Sequence, residues 1–254
     1  MGDRYACRCC GYLTLPTHPS GTWEICPVCF WEDAPLGKGW ISNQISLRQA
    51  QRSFIQVGAS DQEWLGYVRS PEAAESRAPD WQTLDEQDGA VRKALIEDIT
   101  LAFQAVRRAD GVTLHQARVL DDYGGAEEQA RARALDTDTH WGEVPDEWIT
   151  EFSEALCFVD PIGFRYYIPA YMIWTLKHYT TSHSFSVDST IYAFCLSQNL
   201  EAHQLSYFSL LDTDQCQVIC RFLMYCVKFG GHFLDSRAAQ EALDKHWQQF
   251  CQGM

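Results

Sequence analysis

The chain has 254 residues, of which 34 are acidic and 20 are basic, so its formal net charge at pH 7 is −14. Hydrophobic residues make up 46% of it, which excludes a chain that is disordered throughout and leaves room for one large or two modest domains. Residues 61–150 hold 20 of the acidic side chains against 9 basic ones, whereas proteins that bind nucleic acid use Lys and Arg to neutralise phosphates. We therefore expect no direct binding to nucleic acid.

The sequence also favours a cytoplasmic protein that does not enter a membrane. The charged residues before Cys7 form no signal-peptide core. The longest apolar stretch, residues 164–176, contains Arg165 and Pro169 and is too short to span a bilayer. Eleven cysteines without an export signal indicate a reducing compartment, in which the cysteines that bind no metal stay as buried free thiols.

Two Cys-x-x-Cys pairs, separated by fifteen residues, are the strongest chemical signal in the chain. Their spacing is typical of a structural zinc site built from four thiolates. The predicted ligands are Cys7, Cys10, Cys26 and Cys29. Gly11 can relax the turn after the first pair, and Pro27 suits the turn within the second. Because four protein ligands leave no open coordination position, the zinc is expected to hold structure rather than to activate water.

Three alternatives to this ligand set stay open on sequence alone. The pairs could form disulfides, which an intracellular chain disfavours. One pair could act as a redox centre, although no βαβ pattern surrounds either of them. Finally, Cys9 adjoins Cys10 and could replace it as a ligand or stay a spare thiol.

The first third of the chain is predicted to contain a small metal domain and a linker. Residues 1–60 are expected to form a zinc-ribbon-like domain of turns and short strands, followed by a helix from Ser46 to about Val57. Gly58 can end that helix. Residues 61–85 are polar and contain two prolines, so we expect them to be a linker.

Residues 86–254 are predicted to form a helical domain, because apolar residues recur there every three or four positions. A helix capped near Asp212 and ended by Gly230 is apolar on nearly every face and is predicted to be the central, buried one. The other predicted helices cover residues 87–108, 113–120, 126–135, 145–156, 169–178, which Pro169 opens, and 236–250. The predicted fold class is therefore mainly α, a bundle-like helical body with a small N-terminal zinc-ribbon-like β module that contains the four predicted ligands.

The sequence contains little recognisable catalytic machinery. The chain has no Gly-x-Ser-x-Gly elbow, P-loop or His-Glu-x-x-His motif. Cys216 and Cys220 stand four residues apart on a predicted helix, where buried thiols usually serve packing alone. The eight histidines are scattered, and His178 and His183 have no obvious carboxylate partner in the sequence.

Three segments near the N-terminus carry a specific resemblance. They are Tyr5–Tyr12 (YACRCCGY), Glu24–Asp33 (EICPVCFWED) and Ser46–Gln51 (SLRQAQ). On these segments the N-terminal region resembles the bacterial cysteine-rich CPCC family. It departs from the family pattern at Arg8, where proline is usual, which loosens the first turn and leaves the ligands intact.

A second, looser resemblance covers the rest of the chain. Residues 114–124 (LHQARVLDDYG) and 163–171 (GFRYYIPAY) are similar to an uncharacterised bacterial domain family. Neither resemblance implies an enzymatic activity. Proteins similar to these often accompany bacterial toxin genes, and this association implies an immunity role.

We therefore expect a bacterial immunity protein, or antitoxin, and not an enzyme. It would bind and neutralise a cognate protein toxin with a basic surface, with a nuclease effector as the expected class, through an acidic surface that also speeds association. The candidate contact residues are Asp121, Asp122, Glu127, Glu128, Asp136, Asp138, Glu143 and Asp146.

Two other functions stay open. A hydrolase or transferase would need a pocket around Arg165, Tyr166 and Tyr167, where an Arg among aromatic residues is more often paired with a carboxylate in the core. A zinc-ribbon regulator that binds nucleic acid would need a basic surface, which this sequence does not display.

Overall fold

The computed structural model describes residues 4–35, 43–197 and 200–251. Contacts divide the chain into two compact units, residues 1–91 and residues 92–254, which we call unit 1 and unit 2. Helices dominate and the sheet has two strands, so the prediction of a mainly α fold with a small N-terminal β module is confirmed. Among the described residues, no helix is both long enough and apolar enough to cross a membrane.

In its described residues, unit 1 contains a short hairpin-like sheet and one complete α-helix. Strand β1 (Tyr5–Ala6) pairs antiparallel with β2 (Leu13–Leu15), and helix α1 covers Leu47–Val57. A 3-10 turn covers Gln62–Trp64. Helix α2 (Leu84–Phe103) begins in unit 1 and continues into unit 2.

The residues at the two ends of α1 are those that the sequence indicates. The Ser46 hydroxyl accepts a hydrogen bond from the Gln49 backbone N–H at 3.3 Å, and the Gln49 side chain accepts one from the Ser46 N–H at 3.0 Å. This reciprocal pair satisfies two N–H groups that a helix start leaves free. Gly58 closes the helix with φ +86° and donates its N–H to the Phe54 carbonyl. The helix predicted from Ser46 to Val57 is confirmed.

The polar segment 61–85 packs within unit 1 around a buried carboxylate. Glu75 is 2% exposed and accepts hydrogen bonds from Arg4 at 2.8 Å, from Arg69 at 2.7 and 2.8 Å, and from the Glu72 backbone N–H. The Ser76 carbonyl accepts from Leu13 N–H of β2 at 3.0 Å. The segment thus contributes hydrogen bonds to the sheet of unit 1, and its behaviour as a linker stays a prediction.

Unit 2 is built from helices joined by short turns. Its α-helices after α2 are α3 (Leu114–Asp121), α4 (Ala126–Arg133), α5 (Asp146–Glu151), α6 (Pro161–His178), α7 (Ser186–Tyr192), α8 (Glu201–Phe208), α9 (Thr213–Phe229) and α10 (Ser236–Lys245). Its 3-10 segments cover Trp141–Glu143, Ala155–Cys157 and Trp247–Cys251.

Among the described residues, α6 is the most buried helix of unit 2. It corrects two predictions, namely that α9 is the central buried helix and that Pro169 opens α6. It begins at Pro161, not at Pro169, because Asp160 accepts the Gly163 N–H at 2.9 Å and Pro161 stands where the helix needs no N–H. Pro169 lies inside the helix and is buried. Burial of the turns on both sides outweighs the hydrogen bond that this proline removes.

Helix α9, predicted to be buried on nearly every face, has an exposed side. Met224 is 48% exposed, and Arg221 pairs with Asp98 of α2 at 2.5 Å. Its inner side packs against α10 and the C-terminal 3-10 segment, and Gly230 follows its last residue as predicted.

Three helix ends also differ from the predictions, and a tertiary contact accounts for the first of them. Helix α2 ends at Phe103 rather than Arg108, since the Trp141 indole donates to the Phe103 carbonyl at 2.9 Å. Helix α5 begins after Pro145, which occupies the N-cap position, and ends at Glu151. Helix α10 ends at Lys245, and the chain turns there to bury Trp247 completely.

A disulfide joins Cys220 of α9 to Cys251 of the last 3-10 segment, with their Cα atoms 5.8 Å apart. The expectation that the cysteines outside the metal site are free thiols is therefore wrong for these two. Cys216, one turn before Cys220, is buried and free, as a packing residue would be.

Glu75→Gln should destabilise unit 1 and change its response to acid. The hydrogen bond from Arg69 holds the pKa of Glu75 at about 2, against 4.5 for an unperturbed carboxyl. A pKa lowered by folding means that the carboxylate stabilises fully above about pH 4.5 and that this contribution is lost as pH falls toward about 2. The difference in unfolding free energy between wild type and variant should therefore shrink across that window.

The measurement is urea unfolding of wild type and variant at a series of pH values. The difference between their unfolding free energies removes the acid sensitivity that both proteins share because of their cysteines. Glu72→Gln is the matched control, because its side chain is 63% exposed and lies 3.6 Å from the same arginine. Equal effects of the two substitutions would contradict the structural role of Glu75.

Candidate metal centre

The two Cys-x-x-Cys pairs of unit 1 fold into turns with the same backbone hydrogen bonds. In the first turn, Cys7 N–H donates to the Tyr12 carbonyl at 2.9 Å and Gly11 N–H donates to the Cys7 carbonyl at 2.8 Å. In the second turn, the corresponding bonds run from Cys26 to Trp31 at 2.9 Å and from Phe30 to Cys26 at 2.8 Å. The repeated geometry places the two cysteine sulfur atoms of each turn on the same side of that turn.

Each turn requires a left-handed residue after its second cysteine. Gly11 has φ +78° and Phe30 has φ +65°. Glycine is required in the first turn for a further reason, since a Cβ at Gly11 would lie 2.5 Å from the indole of Trp81. In the second turn, the Phe30 ring stacks on Trp64 with centroids 4.6 Å apart, a contact that glycine could not make.

The four predicted ligands meet at one point. Their Sγ atoms all lie within 4.8 Å of one another, and each cysteine is 0% exposed. The Cys7 and Cys29 sulfurs are 3.6 Å apart, and those of Cys10 and Cys26 are 3.7 Å apart. A tetrahedron with metal–sulfur distances of about 2.3 Å has edges of about 3.8 Å. The described residues thus position four cysteines to hold a metal ion.

Cys10, and not Cys9, belongs to this group of four. Cys9 is also fully buried and packs in the same core as the ligands. The backbone between the two is fixed from outside the turn, because the Arg8 carbonyl accepts hydrogen bonds from Gln51 of α1 at 2.9 Å and from the Trp81 indole at 3.3 Å. The structure therefore selects one of the two ligand choices that the sequence left open.

Hydrogen bonding and burial shift the pKa values of the thiols of this group in different directions. A hydrogen bond from Cys10 holds the pKa of Cys26 far below its usual value, whereas burial raises the pKa of Cys29 far above it. Four thiolates at these distances repel one another, so full deprotonation requires a cation. Metal binding must therefore release protons.

Two of the acidic residues predicted to contact a partner are buried in unit 2. Asp138 accepts two hydrogen bonds from Arg108, at 2.9 and 3.0 Å, and one from the Tyr166 hydroxyl at 2.7 Å. Asp136 lies beside His115, with its Oδ1 atom 3.2 Å from Nδ1. Their side chains are 1% and 0% exposed, so they cannot contact a partner in this conformation. Nothing in the sequence distinguishes them from exposed acids.

The other six acidic residues of that prediction are exposed or half-buried, and several make local contacts. Glu128 accepts the Gly125 N–H that precedes α4, and Glu143 accepts the Thr139 N–H at 2.8 Å. Hydrogen bonding to that N–H lowers the pKa of Glu143. The remaining four are Asp121, Asp122, Glu127 and Asp146.

An open cavity of about 460 Å³ lies beside α5. Three exposed carboxylates of α5 form what we call the acidic rim, namely Asp146, Glu147 and Glu151. Trp174 and His178 of α6 complete much of the wall, and His178 Nε2 lies 3.1 Å from Asp146 Oδ2. Glu147 and Glu151 were not among the predicted contact residues, although a helical projection of residues 146–151 would have placed them one turn apart. The carboxylate partner of His178 was likewise not predicted.

The residues of the predicted enzymatic pocket are used in packing. Tyr166 and Tyr167 are 0% exposed, and the Tyr167 hydroxyl accepts a hydrogen bond from Arg108 at 3.0 Å. Arg165 donates to Gln215 at 2.9 Å and lies 3.5 Å from the Asp212 carboxylate. Arg165 therefore lies near an exposed carboxylate and not, as predicted, beside one buried in the core.

Gly11→Ala should destabilise unit 1 more than Gly58→Ala, although both glycines are left-handed. A Cβ at Gly58 meets nothing within 4 Å, so Gly58→Ala should cost about 1 kcal/mol for its backbone conformation alone. Gly11→Ala adds the collision with Trp81, worth about 1–3 kcal/mol of overpacking. Denaturant unfolding of unit 1, followed by tryptophan fluorescence, measures both. Equal losses would contradict the close approach of Trp81.

Comparison with known families divides the chain into two matched regions. Residues 5–75 match the model of the family described as Cysteine-rich CPCC, to which the N-terminal region is similar. Searches of curated proteins and of solved structures returned no match. Residues 91–251, which include nearly all of unit 2, match a second family model. The chain belongs to the Family of unknown function (DUF6714).

Proposed function

We propose that the four cysteines of unit 1 bind one Zn²⁺ ion that stabilises this unit. The donor set supports zinc, because four soft thiolates in a tetrahedron suit Zn²⁺ or iron, and zinc needs no redox partner. The complete burial of the sulfurs supports a structural role. Bound there, zinc would supply the charge that lets Cys7, Cys10, Cys26 and Cys29 approach one another as thiolates.

Purified full-length protein should contain one zinc per chain, and removal of zinc should unfold unit 1. Structural zinc contributes about 10–16 kcal/mol in finger peptides, far more than a small unit can lose. Elemental analysis of protein made without chelator gives the stoichiometry, and circular dichroism with and without a strong chelator gives the loss of structure. Cys157→Ser is the matched control for Cys26→Ser, because Cys157 is exposed and outside the group. One iron per chain, or no metal, would contradict the assignment.

We propose further that unit 2 binds a basic protein, and that the chain acts as a bacterial immunity protein that neutralises a cognate toxin. The observation that carries this proposal is the acidic rim, where three exposed carboxylates line one side of an open cavity whose described lining includes no Lys or Arg. The charge of the whole unit acts in the same direction, because residues 92–254 carry 22 acidic and 13 basic side chains. Such a field attracts a basic partner and repels nucleic acid.

A binding function also agrees with the chemistry of the two units. The cysteine site is closed, so it offers no position for a substrate. The buried polar residues of unit 2 near Arg108 are paired with one another. A toxin whose own site binds an anionic substrate would present the basic surface that the acidic rim requires, and blocking that site would neutralise it.

The partner can be found by capture of tagged full-length chain from its native cell at moderate salt, with mass spectrometry of the bound protein. We expect one stoichiometric partner that is toxic when expressed alone and tolerated when this chain is co-expressed. A partner whose toxicity is unchanged by co-expression would contradict the immunity role.

Neutralising the acidic rim should weaken binding to that partner and reduce its dependence on salt. The triple variant Asp146→Asn, Glu147→Gln, Glu151→Gln should slow association about tenfold or more at low ionic strength, since electrostatic attraction raises association rates by about 10–1000-fold. Surface plasmon resonance at several salt concentrations measures the effect. The matched control is Glu97→Gln, Glu201→Gln, Glu241→Gln, which removes the same charge from exposed positions away from the rim. Equal slowing by both sets would show that net charge, and not the rim, steers the partner.

A further inference from the structure

A buried cluster of four thiolates around one dication carries excess negative charge, and the groups that offset this charge influence how firmly the metal is held. Among the described residues, the Thr14 side chain lies outside the ligand set and reaches a ligand sulfur. The Thr14 Oγ1 atom lies 3.1 Å from Cys26 Sγ, and Thr14 is 6% exposed. Thr14 stands in the middle of β2, whose pairing with β1 fixes its backbone beside the metal centre.

The direction of this hydrogen bond follows from chemistry. A metal-bound cysteine has lost its proton, so its sulfur can only accept, and the Thr14 hydroxyl must donate. The other acceptor within reach of that hydroxyl is the Tyr12 carbonyl, at the longer distance of 3.4 Å. With Cys26 as a thiolate, the bond to sulfur is therefore the favoured one, because charge-assisted hydrogen bonds are stronger than neutral ones.

We propose that Thr14 is a positioning residue of the metal centre, whose hydroxyl donates a hydrogen bond to the Cys26 thiolate and thereby retains the metal. This inference rests on the zinc proposal for the four cysteines. The bond withdraws charge from one sulfur and fixes that sulfur in the direction of the metal. Loss of such partners of metal ligands typically lowers metal affinity by about 10–100-fold.

Thr14→Val tests the hydroxyl, because valine has nearly the same shape and no donor. In competition with a chromophoric chelator, we expect the full-length Thr14→Val variant to bind zinc about tenfold or more weakly than wild type. Thr14→Ser keeps the hydroxyl and should retain the affinity of wild type within about twofold. If Thr14→Val matches wild type, the inference is wrong.

The matched control is Thr22→Val in the same unit. The Thr22 hydroxyl donates to the Asp33 carboxylate at 3.0 Å and is not paired with sulfur, so Thr22→Val should lower the thermal midpoint and leave zinc affinity unchanged. An equal loss of affinity in both variants would mean that zinc affinity reports only general stability, and would overturn the role of Thr14. Wild type that binds no metal would instead overturn the zinc proposal itself.

Cobalt(II) gives a readout that a purely structural role of Thr14 would not move. A hydrogen bond to a thiolate stabilises its lone pairs, so removing the bond should shift the sulfur-to-cobalt charge-transfer absorption of the Co²⁺-substituted protein to longer wavelength. We expect this shift in Thr14→Val and not in Thr14→Ser or Thr22→Val. An unshifted band in Thr14→Val would show that the hydroxyl does not donate to the sulfur.

Discussion

The close approach of four buried sulfur atoms is the constraint on which the fold of unit 1 depends. The apolar residues that surround them are few, and the cysteines themselves form much of the core together with Leu15, Val28, Trp31 and Ala50. A unit of this size rarely obtains enough stability from apolar burial alone, so small domains often use a metal or disulfides. The two turns have different residue types at their left-handed position, and each type has its own reason. Gly11 leaves room for Trp81, whereas the stacking of Phe30 on Trp64 offsets a backbone cost of about 1–2 kcal/mol.

Unit 2 depends on a different interaction, a buried charge that is surrounded by hydrogen-bond partners. Arg108 lies in the segment that follows α2 and reaches Asp138, while Tyr166 and Tyr167 of α6 complete the network. A buried charge is tolerated when each of its polar atoms is paired, and removal of one partner exposes the others to the full cost of desolvation. Asp138 is therefore structural, and the acidic content of residues 61–150 overstates the negative charge that reaches the surface.

The features that could be predicted from the sequence are those determined over short distances along the chain. The spacing of Cys7, Cys10, Cys26 and Cys29 identified the four cysteines that the structure positions to hold a metal ion, since each turn is local and only the pairing of turns is tertiary. The cap at Ser46 and the stop at Gly58 likewise bounded α1. The failures come from contacts between distant residues, which include the indole of Trp141 on Phe103, the core around Pro169 and the burial of Asp136 and Asp138. The disulfide between Cys220 and Cys251 also joins residues 31 positions apart. None of these leaves a periodic or compositional signal.

The cysteine site offers no open coordination position, so the binding function proposed above depends on the surface of unit 2. An acidic surface alone would attract many basic proteins, so selection of one partner needs shape as well as charge. The cavity beside α5 supplies shape at the place where the rim supplies charge, and the largely buried Trp174 of α6 forms part of its wall. His178 holds the Asp146 carboxylate from one side, which limits the directions in which this rim residue can point. In the complex that we propose, a basic side chain in the cavity would meet the Asp146 carboxylate, whose position His178 restricts. A carboxylate that is already restricted loses less conformational entropy on binding, which favours a contact at Asp146 in that complex.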